Sequence, residues 1–502
     1  MILVNLLLIC FFGGLLSWQV GIFNRNISRW VSIISTILLF IFSIHLLYKN
    51  NFILFNLNKT QKWKEIFFLN WIPSLGINIH FAVDGLSILM IILTSIASIF
   101  AVLSSWNENK KNQGFYYFNL MWITTGIIGV FISVDLFLFF FFWEMMLIPM
   151  YFIIINFKNK DLKDKKNINV AMKFFIYTQM SGFIMLLSIV GLVLAHFKTS
   201  GILTFNYNDL LNTKMSSTLS FILMLGFFIA FAVKMPLIPF HGWMPDIQEY
   251  SPKSGSFDIL GIMLKTGAYG MFRFILPLFP KSSDLFAPIV MVIGTISIFY
   301  GAILAFRQNN IKRLIAYGNL SHMGFIVIAI FSNSILAYQG AVIQMIANSL
   351  SGIGLIIISG LLYDRIKTSD IQMMGGLWKH IKWLPVLTLF FSVANFGIPG
   401  TANFIGEFMI LFGNFKQFTF LTCIIAFGII FTSIYSLCMM QQIYYGVSKL
   451  KIEVKKLSIR EFSMLLILAI LIFIIGFYVQ PIIDISISSL KTLYNLHSFL
   501  LN

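Results

Sequence analysis

Apolar residues in this chain gather into runs of about twenty, separated by short polar stretches, which is the length a helix needs to cross a hydrocarbon layer. About fourteen such runs are legible, at roughly 2–22, 30–48, 84–106, 115–133, 136–157, 169–196, 217–240, 255–278, 285–306, 312–331, 335–362, 384–413, 417–445 and 459–478. The fold class expected is an all-α polytopic membrane protein. The first run has no basic residue ahead of it and no small-residue cleavage pattern, so it reads as a retained span.

Two runs are interrupted by prolines and glycines at corresponding places, FAVKMPLIPFHGWMPD (231–246) and FFSVANFGIPGTANFIGEFMIL (390–411). Paired broken helices in the two halves of a chain point to inverted repeats around a polar path near the midplane. The organisation expected is an N-terminal three-span segment (1–114), a first five-helix repeat forming one half-channel (115–280), a second (285–445) and a C-terminal span (446–502). A break leaves carbonyls and amides unpaired, which lipid does not tolerate, so each should line a hydrated cavity.

Composition agrees with the pattern: 58% of residues are hydrophobic and 11% charged, against about 25% charged in soluble proteins. The net charge of +17 suggests an acidic partner at first sight. The basic residues sit in short loops and form no single patch, so they indicate membrane orientation and not nucleic acid. The heaviest loops, 158–167, 363–370 with Lys379 and Lys382, and 447–460, fall on one side of a fourteen-span chain. Arg25, Arg29, Lys110, Lys111, Arg307, Lys312 and Arg313 fall there too, which makes that side cytoplasmic and both termini periplasmic. The exception is 49–83, where Lys49, Lys59, Lys62 and Lys64 land outside and WKEIFFLNWI is expected to lie in the interface as an amphipathic piece. Cys10, Cys423 and Cys438 lie far apart in apolar runs with no CxxC spacing, and read as packing residues.

An ionisable residue deep in a span costs about 2.5 to 3.5 kcal/mol or more and marks ion or proton pathways. Four stand out: Glu144 in FFWEMMLIPMYF, Lys234 directly before the first break, Lys265 in GIMLKTGAYG, and Glu407 just after the second break. Static ion pairs between helices are the competing explanation. Two acids and two bases at similar depth favour transfer, because a lysine whose carboxylate partner approaches or withdraws takes up and releases a proton. His322 in NLSHMGF is a further relay candidate, against a hydrogen-bonded core histidine; His241 after Pro239 is a candidate for proton uptake at the cytoplasmic end. Tyr177, Thr178, Gln179 and Ser181 suit either water or a neighbouring helix, and Asp135 and Asp258 read as helix N-caps. No dinucleotide fingerprint or phosphate loop is present, so energy for uphill transport must come from partner subunits or an existing gradient.

FAVKMPLIPFHGWMPD, SGSFDILGIMLKTGAYGMFRF (254–274), AFRQNNIKRLIAYGNLSHMGF (305–325) and GIPGTANFIGEF (397–408) resemble the proton-pumping antiporter-like subunits of respiratory complex I, NADH-quinone oxidoreductase, over nearly the whole chain. The resemblance implies that Glu144 and Lys234 form the charge pair of the first half-channel, that Lys265 is the central connecting lysine and that Glu407 ends the second half-channel. A glutamate there, and the lack of a long C-terminal helical arm, resemble the M-type branch of the family. It implies no cofactor in this chain, with NADH, FMN, iron–sulfur clusters and quinone in partner subunits, and the other membrane subunits of the complex, the antiporter-like ones above all, as partners in the bilayer. Two positions depart from the family: Gln248 and Asn348 stand where relatives carry histidine. Neither titrates, which argues for water held by hydrogen-bonding side chains instead of a histidine relay at those points. Subunits of sodium–proton antiporters and membrane-bound hydrogenases share the lysines and are the competing transport reading; a non-pumping scaffold would not need four deep charges.

Overall fold

The computed structural model describes residues 1–50, 63–107, 112–156, 164–252, 258–447 and 455–501. The chain opens with α1 (Ile2–Phe23) and α2 (Arg25–Lys49), a hairpin of β1 (Glu65–Ile72) and β2 (Ile77–Val83), then α3 (Gly85–Ser104) and α4 (Gln113–Ile132). Next come α5 (Leu136–Met145), α6 (Leu147–Asn156), α7 (Asp164–Ser200), the short α8 (Tyr207–Leu210), α9 (Ser217–Lys234), α10 (Met244–Tyr250), α11 (Asp258–Gly270) and α12 (Leu276–Leu278). The second part holds α13 (Pro280–Phe306), α14 (Ile311–Ile330), α15 (Ile335–Ile366), α16 (Leu384–Asn395), α17 (Ala402–Phe415), α18 (Thr419–Tyr444), α19 (Ile459–Phe477) and α20 (Gln480–Leu501). Among the described residues, 12 helical stretches are long and apolar enough to cross a membrane. Where the other two were expected, at 255–278 and 384–413, the described residues hold the shorter helices α11 and α12, and α16 and α17. Basic loop residues 158–163 and 448–454, with Lys59, Lys62, Lys110 and Lys111, lie outside the described residues.

Prolines account for the irregularities. α9 stops at Lys234, two residues before Pro236, because the residue preceding a proline is pushed out of the helical region. The run at 136–157 is one membrane-length stretch, Leu136–Asn156, with a one-residue interruption at Met146, where Pro149 cannot bond the carbonyl of residue 145 and its ring crowds it. Pro277 acts likewise on residue 273, and between α11 and α12 the chain widens into a π turn over Met271–Ile275. Both expected breaks find protein partners for their freed backbone. The Trp243 indole donates to Val233 O at 2.9 Å, the Ile238 N–H donates to Ser297 Oγ at 3.2 Å, and Asn403 Nδ2 donates to Ala394 O at 2.6 Å.

The segment WKEIFFLNWI contains a strand: its residues 65–72 pair antiparallel with 77–83, Glu65 opposite Val83 and Ile72 opposite Ile77. Aromatic and β-branched residues favour a strand there, and Gly76 at φ 67° closes the turn in a conformation that suits glycine. After the last span the chain continues as the amphipathic α20, which buries Ile485, Leu490 and Leu493. α15 is enclosed along its whole apolar window (100% buried) and forms the axis of the bundle, whereas α1 and α19 lie at the rim. Leu187, Leu285 and Phe420 point outward, as lipid-facing side chains do. Of the three cysteines only Cys10 is buried; Cys423 faces outward, so it is not the internal packing residue expected.

Candidate functional site

The break between α5 and α6 places Glu144 at the end of α5, with its carboxylate against α7 at Gly182, where that helix has no side chain. A Cβ on Gly182 would lie 1.7 Å from Glu144 Oε1. Lys234, at the last turn of α9, is 1% exposed, and its ammonium stands over the Trp143 indole, 4.9 Å from the ring centroid. Glu144 is the charged neighbour of Lys234, yet no ion pair joins them; the ammonium finds no hydrogen-bond partner, and the polar group beside the carboxylate is the Gln179 side chain of α7. Two buried charges held near each other without contact suit an opening and closing pair better than a static strut, which needs close geometry to offset desolvation.

Towards the expected cytoplasmic side the site narrows under a charged cluster. Lys173 on α7 bonds Asp246 at 2.7 Å, and Arg313 on α14 bonds Asp246 at 3.0 Å and Glu249 at 2.9 Å. The Tyr177 hydroxyl and Lys173 ammonium flank Gly242. His241 beside it lays its ring edge-on to Tyr300 at 5.1 Å and keeps an unpartnered Nδ1. Gln248, on α10, is buried with an unpartnered Nε2. Thr178 and Ser181, both buried, donate their hydroxyls to their own helix, to Phe174 O and Thr178 O. Lys312 is no loop cation: it is 1% exposed and donates to Ser251 and Pro252 oxygens at 3.0 to 3.2 Å, fastening the segment after α10.

The break after α9 lies against α11, where a Cβ on Gly267 would sit 2.7 Å from Phe231 O. Two residues earlier on α11, the fully buried Lys265 donates from Nζ to Asn348 Oδ1 on α15 at 2.7 Å. One turn along the same face of α15 stands Gln344, which the sequence reading passed over because an amide inside an apolar helix carries no charge signal. Gln344 Nε2 donates to Glu407 Oε1 at 3.1 Å and lies 3.4 Å from His322 Nδ1. His322 Nδ1 is itself 3.2 Å from the same carboxylate oxygen, and its Nε2 is unpartnered. Glu407 rests on the second break as Glu144 rests on α7: a Cβ on Gly397 would lie 2.9 Å from Oε2. Lys265 and Asn348, then Gln344, His322 and Glu407, therefore form two hydrogen-bonded groups joined along one face of α15. Asp135 caps α5, accepting from the Phe137 and Leu138 N–H groups, while the Asp258 side chain lies outside the described residues.

A helical membrane bundle in which one proline-broken helix ends at the buried Lys234 and another carries the buried Glu407 past its break has the architecture of an antiporter-like ion carrier. Residues 133–433 match the family described as NADH:quinone oxidoreductase/Mrp antiporter, TM. NADH-quinone oxidoreductase subunit M of Escherichia coli (strain K12) is 53% identical over 493 residues, covering 98% of this chain and 97% of that protein. The subunit of the same name from Pseudomonas aeruginosa is 49% identical over 492 residues, at 98% and 97% coverage. A chain of respiratory complex I from Thermus thermophilus superposes with a TM-score of 0.88 at 24% identity, covering 99% of this chain and all of that one (100%). A chain of the Mrp complex from Dietzia sp. superposes at 0.82 with 15% identity, covering 99% of both, a likeness of fold alone. The chain belongs to the NADH-quinone oxidoreductase subunit M family.

Proposed function

We propose that this chain carries protons from cytoplasm to periplasm as an antiporter-like membrane-arm subunit of NADH-quinone oxidoreductase. The energy comes from NADH:quinone electron transfer in partner subunits, which hold the NADH site, FMN, iron–sulfur clusters and quinone. The other antiporter-like subunits are its neighbours in the inner membrane, and both of its termini face the periplasm. The observation that carries this reading is the face of α15, where Asn348 receives Lys265 and Gln344, one turn away, meets Glu407 and His322.

The residues divide the work by what each can hold. A proton taken up past Tyr177 and His241 reaches Lys234. There, approach of the Glu144 carboxylate favours the ammonium and its withdrawal leaves an uncompensated buried charge that gives the proton up. Lys265, on the helix that abuts the first break, accepts it. Asn348 and Gln344 donate and accept hydrogen bonds without taking charge into a low-dielectric site, so they orient a hydrogen-bonded path instead of storing the proton. His322 and Glu407 can store it, and Glu407 releases it on the periplasmic side.

Replacing Lys234 by alanine should leave the chain inserted and the complex assembled while NADH-driven proton uptake by membrane vesicles falls several-fold per assembled complex. Unchanged uptake in well-assembled membranes would sink the role given to Lys234. Loss of assembly in both Lys234→Ala and Glu144→Gln would favour a static ion pair.

A further inference from the structure

α16 carries three polar side chains, and all three face inward along one stripe. Thr388, Ser392 and Asn395 succeed one another at four and three residues, the spacing that brings side chains on a helix within about 5 to 6 Å of each other. They are 0%, 0% and 4% exposed. The helix begins beside Lys382, on the side that the basic loops mark as cytoplasmic, and ends at the second break, two residues before the Gly397 on which Glu407 rests. None of the three belongs to the path from Lys234 through Lys265 to Glu407.

Both ends of the stripe are joined to α18. Asn395 Nδ2 donates to the Tyr435 hydroxyl at 3.2 Å, and the buried Tyr435 also meets Ser436 and has Glu407 as a charged neighbour. The same hydroxyl lies against α14 at Gly318, where a Cβ would be 2.8 Å from it. His322 stands one turn further along α14, and helical side chains lean back over the preceding turn. The imidazole, whose Nε2 has no partner, therefore leans towards that hydroxyl. At the cytoplasmic end Thr388 Oγ1 and the Tyr444 hydroxyl are 2.6 Å apart; Thr388 donates to Leu384 O, so Tyr444 is the donor within the pair. One turn before Thr388, Pro385 lines a surface cavity of about 390 Å³ together with Trp378, Ile381, Lys382, Trp383 and Val386.

Ser392 stands between the two ends. Serines and threonines inside helices commonly return their hydroxyls to their own backbone, as Thr388 does. Among the described residues Ser392 is the one serine or threonine whose buried hydroxyl has no partner. Adhesion between helices, the plain explanation for inward hydroxyls, does not account for one that bonds to nothing.

We propose that these side chains form a second proton approach, running from the cytoplasmic end of α16 to His322 and Glu407 without passing Lys265. It rests on the proton-carrying reading above and adds a parallel feed to it. A hydroxyl donates and accepts at once, so Tyr444, Thr388, Ser392 and Tyr435, with water between them, pass a proton by exchange. Each oxygen takes a hydrogen from its cytoplasmic neighbour as it gives its own onward, and Asn395 holds Tyr435 in line. Tyr435 ends the exchange neutral, and the charge comes to rest on His322 or Glu407, the groups that can store it.

The test measures NADH-driven proton uptake by inverted membrane vesicles, per assembled complex, in the parent chain and in Lys265→Ala. Thr388→Val keeps the volume and removes the hydroxyl, whereas Thr388→Ser keeps the hydroxyl and removes a methyl group. Conduction requires Thr388→Ser to stay near the parent and Thr388→Val to fall below it; a packing role gives the reverse order and overturns the proposal. In Lys265→Ala, whose uptake is itself lowered several-fold, adding Thr388→Val or Tyr435→Phe should lower uptake further, because the two feeds run in parallel. No further loss in either double variant would place the hydroxyls on the Lys265 path or on none, and overturn the second approach. Should Thr388→Val fail to assemble, Ser392→Ala breaks no hydrogen bond and supplies the same comparison, with parent-like uptake in both backgrounds counting against the proposal. Unchanged uptake in Lys265→Ala alone would remove the role given to Lys265, and the order of the two Thr388 variants in the parent chain would still decide for or against the hydroxyl file.

Discussion

An amide supplies the partner that the buried Lys265 ammonium needs, and this decides what replacement of Asn348 should do. A hydrogen bond to a charged group contributes about 1.5 to 3 kcal/mol, and removing it leaves the ammonium uncompensated. Asn348→Leu should therefore reduce NADH-driven proton uptake per assembled complex several-fold, whereas Asn348→His, which still accepts from Lys265, should cost less. Equal activity in Asn348→Leu and the parent would show that the Lys265 bond to α15 is dispensable. Gly182 offers a second test on the other half of the path, since an alanine there places its Cβ 1.7 Å from Glu144 Oε1 and must swing the carboxylate away. Gly182→Ala should assemble yet pump poorly, while Ser181→Ala, whose hydroxyl bonds only its own helix, should pump normally; matched activities would dissociate Glu144's position from function. The deep charges were legible in the sequence because an ion stands out in an apolar run. Gln344 was not, since its importance comes from facing His322 and Glu407 across three helices, and no local pattern encodes that.

At the scale of elements, span positions follow from run length alone, and breaks marked by proline with glycine were legible. Lone prolines at 149 and 277 were not, because a single proline inside an apolar run is tolerated in membrane helices and its effect depends on what surrounds the freed carbonyl. The hairpin at 65–83 was missed because its aromatic-rich strand suits an interface as well as a ladder. Asp135, read as an N-cap, does cap α5, and it ties that helix to the hairpin by also accepting the Asn78 N–H at 3.2 Å. Burial pushes its carboxyl up to about 6 despite these three backbone donors. Between the ordinary value near 4 and about 6 the folded chain then binds more protons than the unfolded one, so this group's contribution to stability is full at low pH and declines as pH rises through the window. Asp135→Asn keeps an acceptor for the cap and abolishes the titration. The apparent unfolding temperature of the detergent-solubilised complex, measured from pH 4.5 to 7, should decline less with rising pH in the variant, and parallel curves would show that Asp135 does not titrate there.

At the scale of the whole chain, one buried knot ties together parts that run length treats as separate. Asp84 caps α3 by accepting the Ser87 N–H at 2.9 Å and also pairs with Arg273 in the π turn after α11. Arg273 stacks over Trp63 at 4.7 Å and donates from Nε to the Tyr269 hydroxyl, which also meets Ser87 at 2.9 Å. Next to the cap, the Gly85 N–H donates to Ser489 Oγ of α20, and a Cβ on Gly85 would lie 1.8 Å from Ile485 O. The N-terminal spans, the helix bearing Lys265 and the last helix thus meet at one point. The sequence concealed this because α20 is too polar to read as a span and Arg273 falls beside a run boundary. Lys265, Tyr269 and Arg273 succeed one another four residues apart, so the knot also fixes the rotation of the helix that presents Lys265 to Asn348. Removing one member of a buried ion pair costs about 3 to 5 kcal/mol because the other is left uncompensated, while replacing both by apolar residues of similar volume is often neutral. Asp84→Leu alone should therefore lower the yield and apparent unfolding temperature of the complex sharply, and Asp84→Leu with Arg273→Met should recover much of the loss. If the knot also sets Lys265, the double variant should assemble near normally yet pump less than the parent. Full recovery of proton uptake together with assembly would show that the pair is structural only, and a double variant no more stable than Asp84→Leu would show that the cap at α3, and not the ion pair, holds these three parts together.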